Sequence, residues 1–291
     1  MNTIITSVQK LGLIIFTLFT ASAIGTTVSA DTTFDKIKKT GQVTVGTEAA
    51  FPPFEFVQDG KIVGYGKDIL DIIIADLGVE LNQLDLPWQG ILPGVLAGKF
   101  DFVATSVTIK PDRAKEFAFT VPIGEGTTWI MKRKGDTSIM SVDDMAGKVV
   151  GTQLASGNED ASKMFEGDMK ARGLEGFGEL KLFTSYPEVT LALANGTLDV
   201  AVQNLPNLAV IIQKQPDMFE LVGPITDISY FGWVTRPEDT DLRDYLSKQI
   251  LEMRDSGKID ELQDKWFGFR MEIPMTAPGT EPMASSLTLG Q

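Results

Sequence analysis

Neither cysteine nor histidine occurs anywhere in this 291-residue chain. Without cysteine there is no disulfide, no thiol nucleophile, no sulfur ligand and no N-terminal cysteine to carry a lipid. Without histidine, the usual zinc sites, Ser-His-Asp triads and imidazole acid–base chemistry are excluded, which weakens most enzyme readings. Positive charge is scarce as well. Lys and Arg number 26 against 39 Asp and Glu, a formal net charge of −13. That balance disfavours nucleic acid and anionic membrane surfaces as partners. Long apolar runs are also few. Leu11 to Ile24 is the clearest, and it is diluted by Gly25, Thr26 and Thr27 before reaching the ~20 residues that a membrane span needs. Lys10 precedes the run and Val28-Ser29-Ala30 follows it, the order of a secretory signal peptide cleaved after Ala30. A single membrane anchor is the alternative, and the short run argues against it. An exported chain with no cysteine to lipidate is expected free in the periplasm, as a monomer.

What is present is a regular alternation of strand-like and helical stretches from Gln42 onward, which indicates α/β layers. Gln42–Thr47 reads as a strand, and Asp59-Gly60 is a hairpin turn leading to Lys61–Gly64. Asp68 to Leu77 places Ile69, Ile72, Ile73 and Leu77 on one helical face, closed by Gly78. Strands at Leu81–Leu86 and Phe100–Ala104 bracket a short helix, Leu92–Ala97, with Trp88 at the end of the first strand. A second cycle follows Pro122: strands at Thr127–Lys132, Lys148–Thr152, Glu179–Phe183 and Leu198–Val202, with helices near Asn158–Ala171 and Tyr186–Leu193. Trp233–Thr235 and one long amphipathic region, Asp241 to Trp266, then read as a return to the first unit. The expected organisation is a signal peptide (1–30), a discontinuous first lobe (31–122 and 227–268), an inserted second lobe (123–226) and a disordered tail (269–291). Two crossings, near Thr120–Gly126 and Gly223–Ser229, make a hinge, and a hinge makes a cleft that closes. Two sequential domains are the alternative arrangement.

The most informative segment is Val45 to Phe56, VGTEAAFPPFEF. Pro52 and Pro53 keep it extended after the strand, which holds Glu48 and Phe51 on a stiff loop at a strand mouth, where α/β proteins usually bind ligands. Further along come GYGKDIL (64–70), WQGILPGVLAGKFDFVATSVTIKPDR (88–113), GKVVGT (147–152), LANGTLDVAVQNLPN (193–207) and DELQDKWFG (260–268). In this order and spacing they resemble the solute-binding proteins of polar amino-acid ABC importers. The resemblance covers roughly 36–268. It implies a two-lobed type-II periplasmic binding fold with two hinge crossings, no covalent chemistry, no metal or cofactor, a small zwitterionic solute as ligand and an inner-membrane ABC permease as partner.

The same resemblance implies ligand-binding roles residue by residue. Arg113 would clamp a carboxylate bidentately, supported by Ser106 and Thr108; read alone, it neutralises Asp112 or caps a surface helix. Phe51 and Trp88 would wall the ligand; read alone, they are core residues. Ser156 and Gly157 precede a helix whose N-terminal N–H groups favour a carboxylate, or serve as an ordinary N-cap. Gln153 is a candidate side-chain reader. Asn204 departs from the family, which usually places an Asp there to pair with the ligand's α-ammonium. Counting Arg113 as the one cation and Glu48 as the one anion, a neutral polar amino acid or compact zwitterion balances the cleft. Two other roles stay open: an exported cyclohexadienyl or arogenate dehydratase, with Glu48 as its acid, and a sensor reporting occupancy to a membrane receptor.

Overall fold

A computed structural model describes residues 31–276. The proposed signal peptide, 1–30, and residues 277–291 fall outside the described residues. A six-strand and a five-strand sheet carry the chain. In the first, the strand order is Glu80–Asp85, Gln42–Thr47, Phe102–Thr108, Tyr230–Thr235, Ala118–Phe119, with Gly124–Glu125 also paired to Tyr230–Thr235. In the second it is Glu179–Phe183, Val149–Gln153, Val200–Asn204, Thr128–Arg133, Phe219–Pro224. Both have three parallel strands followed by antiparallel ones.

The two sheets repeat one local construction. Each second strand carries Gly-Thr near its end, Gly46-Thr47 and Gly151-Thr152, and the Thr hydroxyl donates to the neighbouring strand, at Ala104 O and Val202 O, 2.9 Å each. Each third strand is entered through an aspartate that accepts from the second strand: Thr44 N donates to Asp101 and Val149 N to Asp199, at 2.8 and 2.9 Å. Beside each aspartate an apolar side chain fills the space over the glycine. A Cβ on Gly46 would sit 2.6 Å from the Phe100 ring, and one on Gly151 2.1 Å from Leu198. Glu48 and Gln153 are therefore equivalent residues of the two sheets, and so are Ser106 and Asn204.

The chain leaves the first sheet after Glu125 and enters the second at Thr128; it returns between Pro224 and Tyr230. The two passages are bonded to each other, Gly126 N donating to Ser229 O at 2.7 Å. Around the first sheet pack the helices Thr33–Thr40, Tyr65–Leu77, Trp88–Leu96, Thr240–Asp255 and Lys258–Trp266. Tyr65–Leu77 buries Ile69, Leu70 and Ile73 and ends at Gly78, whose left-handed backbone lets its N–H reach Ile74 O. Gly257, also left-handed at φ 76°, splits the expected single helix at 241–266 into two.

Other boundaries also differ. Trp88 begins a helix after Pro87 and does not end a strand, and Gln203 and Asn204 are the last residues of a strand that runs directly into the helix Leu205–Lys214. The expected disorder of the tail fails for its first residues: Met271 is buried and its sulfur accepts the Glu125 N–H, while Arg254 donates to Ile273 O and Pro274 O. Phe54 links these elements. Fully buried, its ring is 4.9 Å from Phe267, 5.2 Å from Phe231, 5.6 Å from Phe51 and 5.8 Å from Tyr65. Phe54→Ala is expected to lower stability by about 3–5 kcal/mol, read as a lower urea midpoint with an unchanged slope.

Candidate functional site

The carboxyl ends of the central strands of both sheets face each other. From the first come Glu48, Phe51, Trp88, Ser106 and Thr108; from the second, Gln153, Ser156, Gly157, Tyr186 and Asn204; Phe231 closes the floor. The space between them is ≈ 20 Å³, about the room of one water. The walls touch directly. Gln153 donates its amide N–H to Glu48 Oε1. The Trp88 indole N–H donates to Ala155 O at 2.9 Å, Lys110 Nζ to Gly157 O at 2.9 Å and to Asp160 at 3.1 Å, and Asn207 to Pro52 O at 2.7 Å. Gly157 is required by this approach. A Cβ there would meet Thr108 Oγ1 at 2.9 Å and Lys110 Cε at 3.3 Å. It opens the helix Gly157–Ala171, whose N-cap Ser156 accepts the Glu159 N–H at 3.1 Å.

The cleft is rich in buried acid. Burial pushes the Glu48 carboxyl up to about 7, assisted by repulsion from Asp85 and opposed by the bond from Gln153. Beneath it, Glu55 is completely buried and is pushed up to about 8 for the same reason, although Thr105 Oγ1 (3.2 Å) and Ser106 Oγ (3.3 Å) both donate to it. Gly66 makes room for this side chain: a Cβ there would lie 2.0 Å from Glu55 Oε1. Arg113 does not itself line the space. Its guanidinium stands 5.6 Å from the Trp88 ring centroid and donates to Thr108 O at 3.4 Å, and burial depresses its pKa. It does not neutralise Asp112. That acid pairs with Lys115 at 2.8 Å, as Asp160 does with Lys110.

Asn204 belongs to a buried amide network. Its Nδ2 donates to Gly126 O, on the passage between the sheets, and its Oδ1 accepts from Asn158 Nδ2 at 2.8 Å. The same Asn158 amide donates to the Tyr186 hydroxyl at 2.5 Å, and Thr128 Oγ1 donates to Asn158 Oδ1 at 2.7 Å. Of the ten residues expected from sequence, the structure gathers all but Arg113 around one space, and it sets Arg113 against Trp88. Sequence reasoning missed Tyr186, Phe231, Asn158 and Glu55. A signal for Tyr186 existed: it begins the helix after strand Glu179–Phe183, as Trp88 begins the one after Glu80–Asp85.

This arrangement agrees with what the chain is similar to. The family of bacterial extracellular solute-binding proteins, family 3, matches residues 43–269. The L-cystine-binding protein TcyJ of Escherichia coli is 26% identical over 236 residues, covering 80% of this chain and 85% of that protein. An L-arginine-binding protein of Pseudomonas aeruginosa is 27% identical over 235 residues, with 78% and 88% covered. Among solved structures, an ancestral arginine-binding protein bound to arginine superposes with a TM-score of 0.71 at 32% identity, covering 78% of this chain and 99% of that one.

The buried acids have a consequence for stability. A carboxyl whose folded pKa is raised stabilises the fold fully below its unfolded value and loses that contribution as pH climbs through the folded value. Between about pH 4.5 and about pH 8, stability should therefore fall by an amount on the order of a few kcal/mol through Glu55. Denaturation midpoints across that range check this, and Glu55→Gln should flatten the fall.

Proposed function

Because the chain belongs to family 3 of the bacterial extracellular solute-binding proteins, we propose that it captures a polar amino acid or similarly small zwitterion in the periplasm and delivers it to the permease of an ABC importer. The carrying observation is a single cleft lined by one carboxylate, Glu48, and by aromatic rings, with Arg113, which forms no ion pair among the described residues, set against the Trp88 ring. One charge of each sign suits a solute with one of each; a dicarboxylate or a dibasic amino acid would bring a charge with no counterpart there.

We assign 31–125 and 230–268 to one lobe and 128–224 to the other, with Gly126–Thr127 and residues 225–229 as the hinge; the bounds expected from sequence, 31–122, 123–226 and 227–268, shift because Gly124–Glu125 pairs with Tyr230–Phe231 in the first sheet. The lobes part to admit the solute, then close on it, and contacts to both stabilise the closed arrangement. Arg113, Ser106 and Thr108, with the N-terminus of the Gly157–Ala171 helix, hold its carboxylate. Phe51 and Trp88 wall it, and Glu48, which Gln153 now satisfies, takes its cation. The protein acts as a monomer, exported with cleavage after Ala30, and performs no chemistry on what it binds. Glu48, held near neutrality, is the one acid a dehydratase could use here, so prephenate belongs in the test.

The test is thermal unfolding of the refolded chain against amino acids, betaines and prephenate. A solute at 100 times its Kd adds about 2.7 kcal/mol and raises Tm by several degrees. A shift with a zwitterion supports the reading, and a shift with prephenate alone replaces it with the dehydratase. Glu48→Gln should weaken binding by at least about tenfold, and more than Asn204→Ala does; the reverse ranking contradicts the role given to Glu48.

A further inference from the structure

We infer, resting on the zwitterion reading above, that the cationic end of the solute is an alkyl-substituted ammonium, secondary to quaternary, and not the bare –NH3⁺ of an ordinary α-amino acid. The feature responsible is the set of rings of Phe51, Trp88, Tyr186 and Phe231 around a single carboxylate, Glu48.

A primary ammonium brings three N–H donors, and each needs an acceptor once water is excluded. The cleft supplies few. Glu48, released from Gln153 when the walls part, is the one charged acceptor among the lining residues. Asn204 Oδ1 and the Tyr186 hydroxyl already take the two N–H groups of Asn158. Ser156 Oγ takes the Glu159 N–H, and the Ser106 hydroxyl points at Glu55. Apart from Glu48, these acceptors are neutral and bring no counter-charge to a buried cation. Nor is Asn204 free to turn toward a ligand, since its Nδ2 is bound to Gly126 O on the passage between the sheets.

An alkylated nitrogen needs few acceptors or none. Its charge spreads over methyl or methylene groups that pack on aromatic rings, and rings make up much of this cleft's lining. Phe51 stands 5.2 Å from Tyr186 and 5.7 Å from Phe231, so three rings form one cluster at the cleft, while the Trp88 ring already has the Arg113 guanidinium over it. Glu48 provides the counter-charge without having to satisfy a fan of hydrogen bonds.

The test holds the carboxylate constant and varies only nitrogen substitution. Calorimetric titration of the refolded full chain would use glycine, N-methylglycine, N,N-dimethylglycine and trimethylglycine, then L-proline and its N,N-dimethyl derivative. Affinity is expected to rise with methylation, by about tenfold or more from the unmethylated to the fully methylated member of at least one series. Phe51→Leu should reduce that preference to about twofold while the chain still unfolds cooperatively. If amino acids with a primary ammonium, glycine or those of the wider panel, bind as tightly as the secondary to quaternary members, the inference is overturned and the zwitterion reading stands. If no zwitterion binds at all, both fall.

Discussion

The bond from Gln153 to the buried carboxylate of Glu48 is the contact on which the cleft is organised. Both side chains follow a Gly-Thr pair at the end of a central strand, one in each sheet. An acid removed from water is costly unless a donor or a cation meets it. With the walls in contact, only a neutral amide reaches Glu48, and its pKa stays raised to about 7. A cation entering between the walls would favour the charged form and take over the role of Gln153. Under the proposed function, the same carboxylate joins the walls when they touch and selects what separates them.

That pairing follows from an architecture built twice. The hydroxyl lock of Thr47 on Ala104 and of Thr152 on Val202, with the aspartates at 101 and 199, fixes the register of three parallel strands in each sheet. Strand ends then deliver corresponding residues to the same plane. The two halves differ in chemistry. Ser106, at one strand end, serves the buried acid Glu55, and its counterpart Asn204 serves an amide network tied to the passage between the sheets. Glu48 and Arg113 both stand on one wall, and the amides of Gln153, Asn158 and Asn204 on the other.

Much of this was legible in the sequence, and the failures share a cause. The hairpin at Asp59-Gly60, the helix ending at Gly78 and the strand Glu179–Phe183 were readable because each signal is local. The helix Leu205–Lys214 was missed because no loop separates it from its strand; Asn204 both ends the strand and caps the helix. The break at Gly257 hid inside a continuous amphipathic pattern. Glu48 was read from its stiff loop at a strand mouth, and Phe51 and Trp88 were assigned through the family resemblance. Glu55 was not, since its burial depends on Thr105, Ser106 and Gly66 arriving from elsewhere in the chain. Asn204 was recognised as unusual, but its partners Asn158 and Gly126 lie 46 and 78 residues away, and no local pattern reports them.

The most direct test is to identify what the cleft retains. The refolded chain would be dialysed to equilibrium against a bacterial metabolite extract and then unfolded, and the released small molecule identified by mass spectrometry. The account predicts one dominant solute, near one per chain, with one carboxylate, one cationic nitrogen and no net charge. A dicarboxylate, a dibasic or an uncharged solute at that stoichiometry would contradict it.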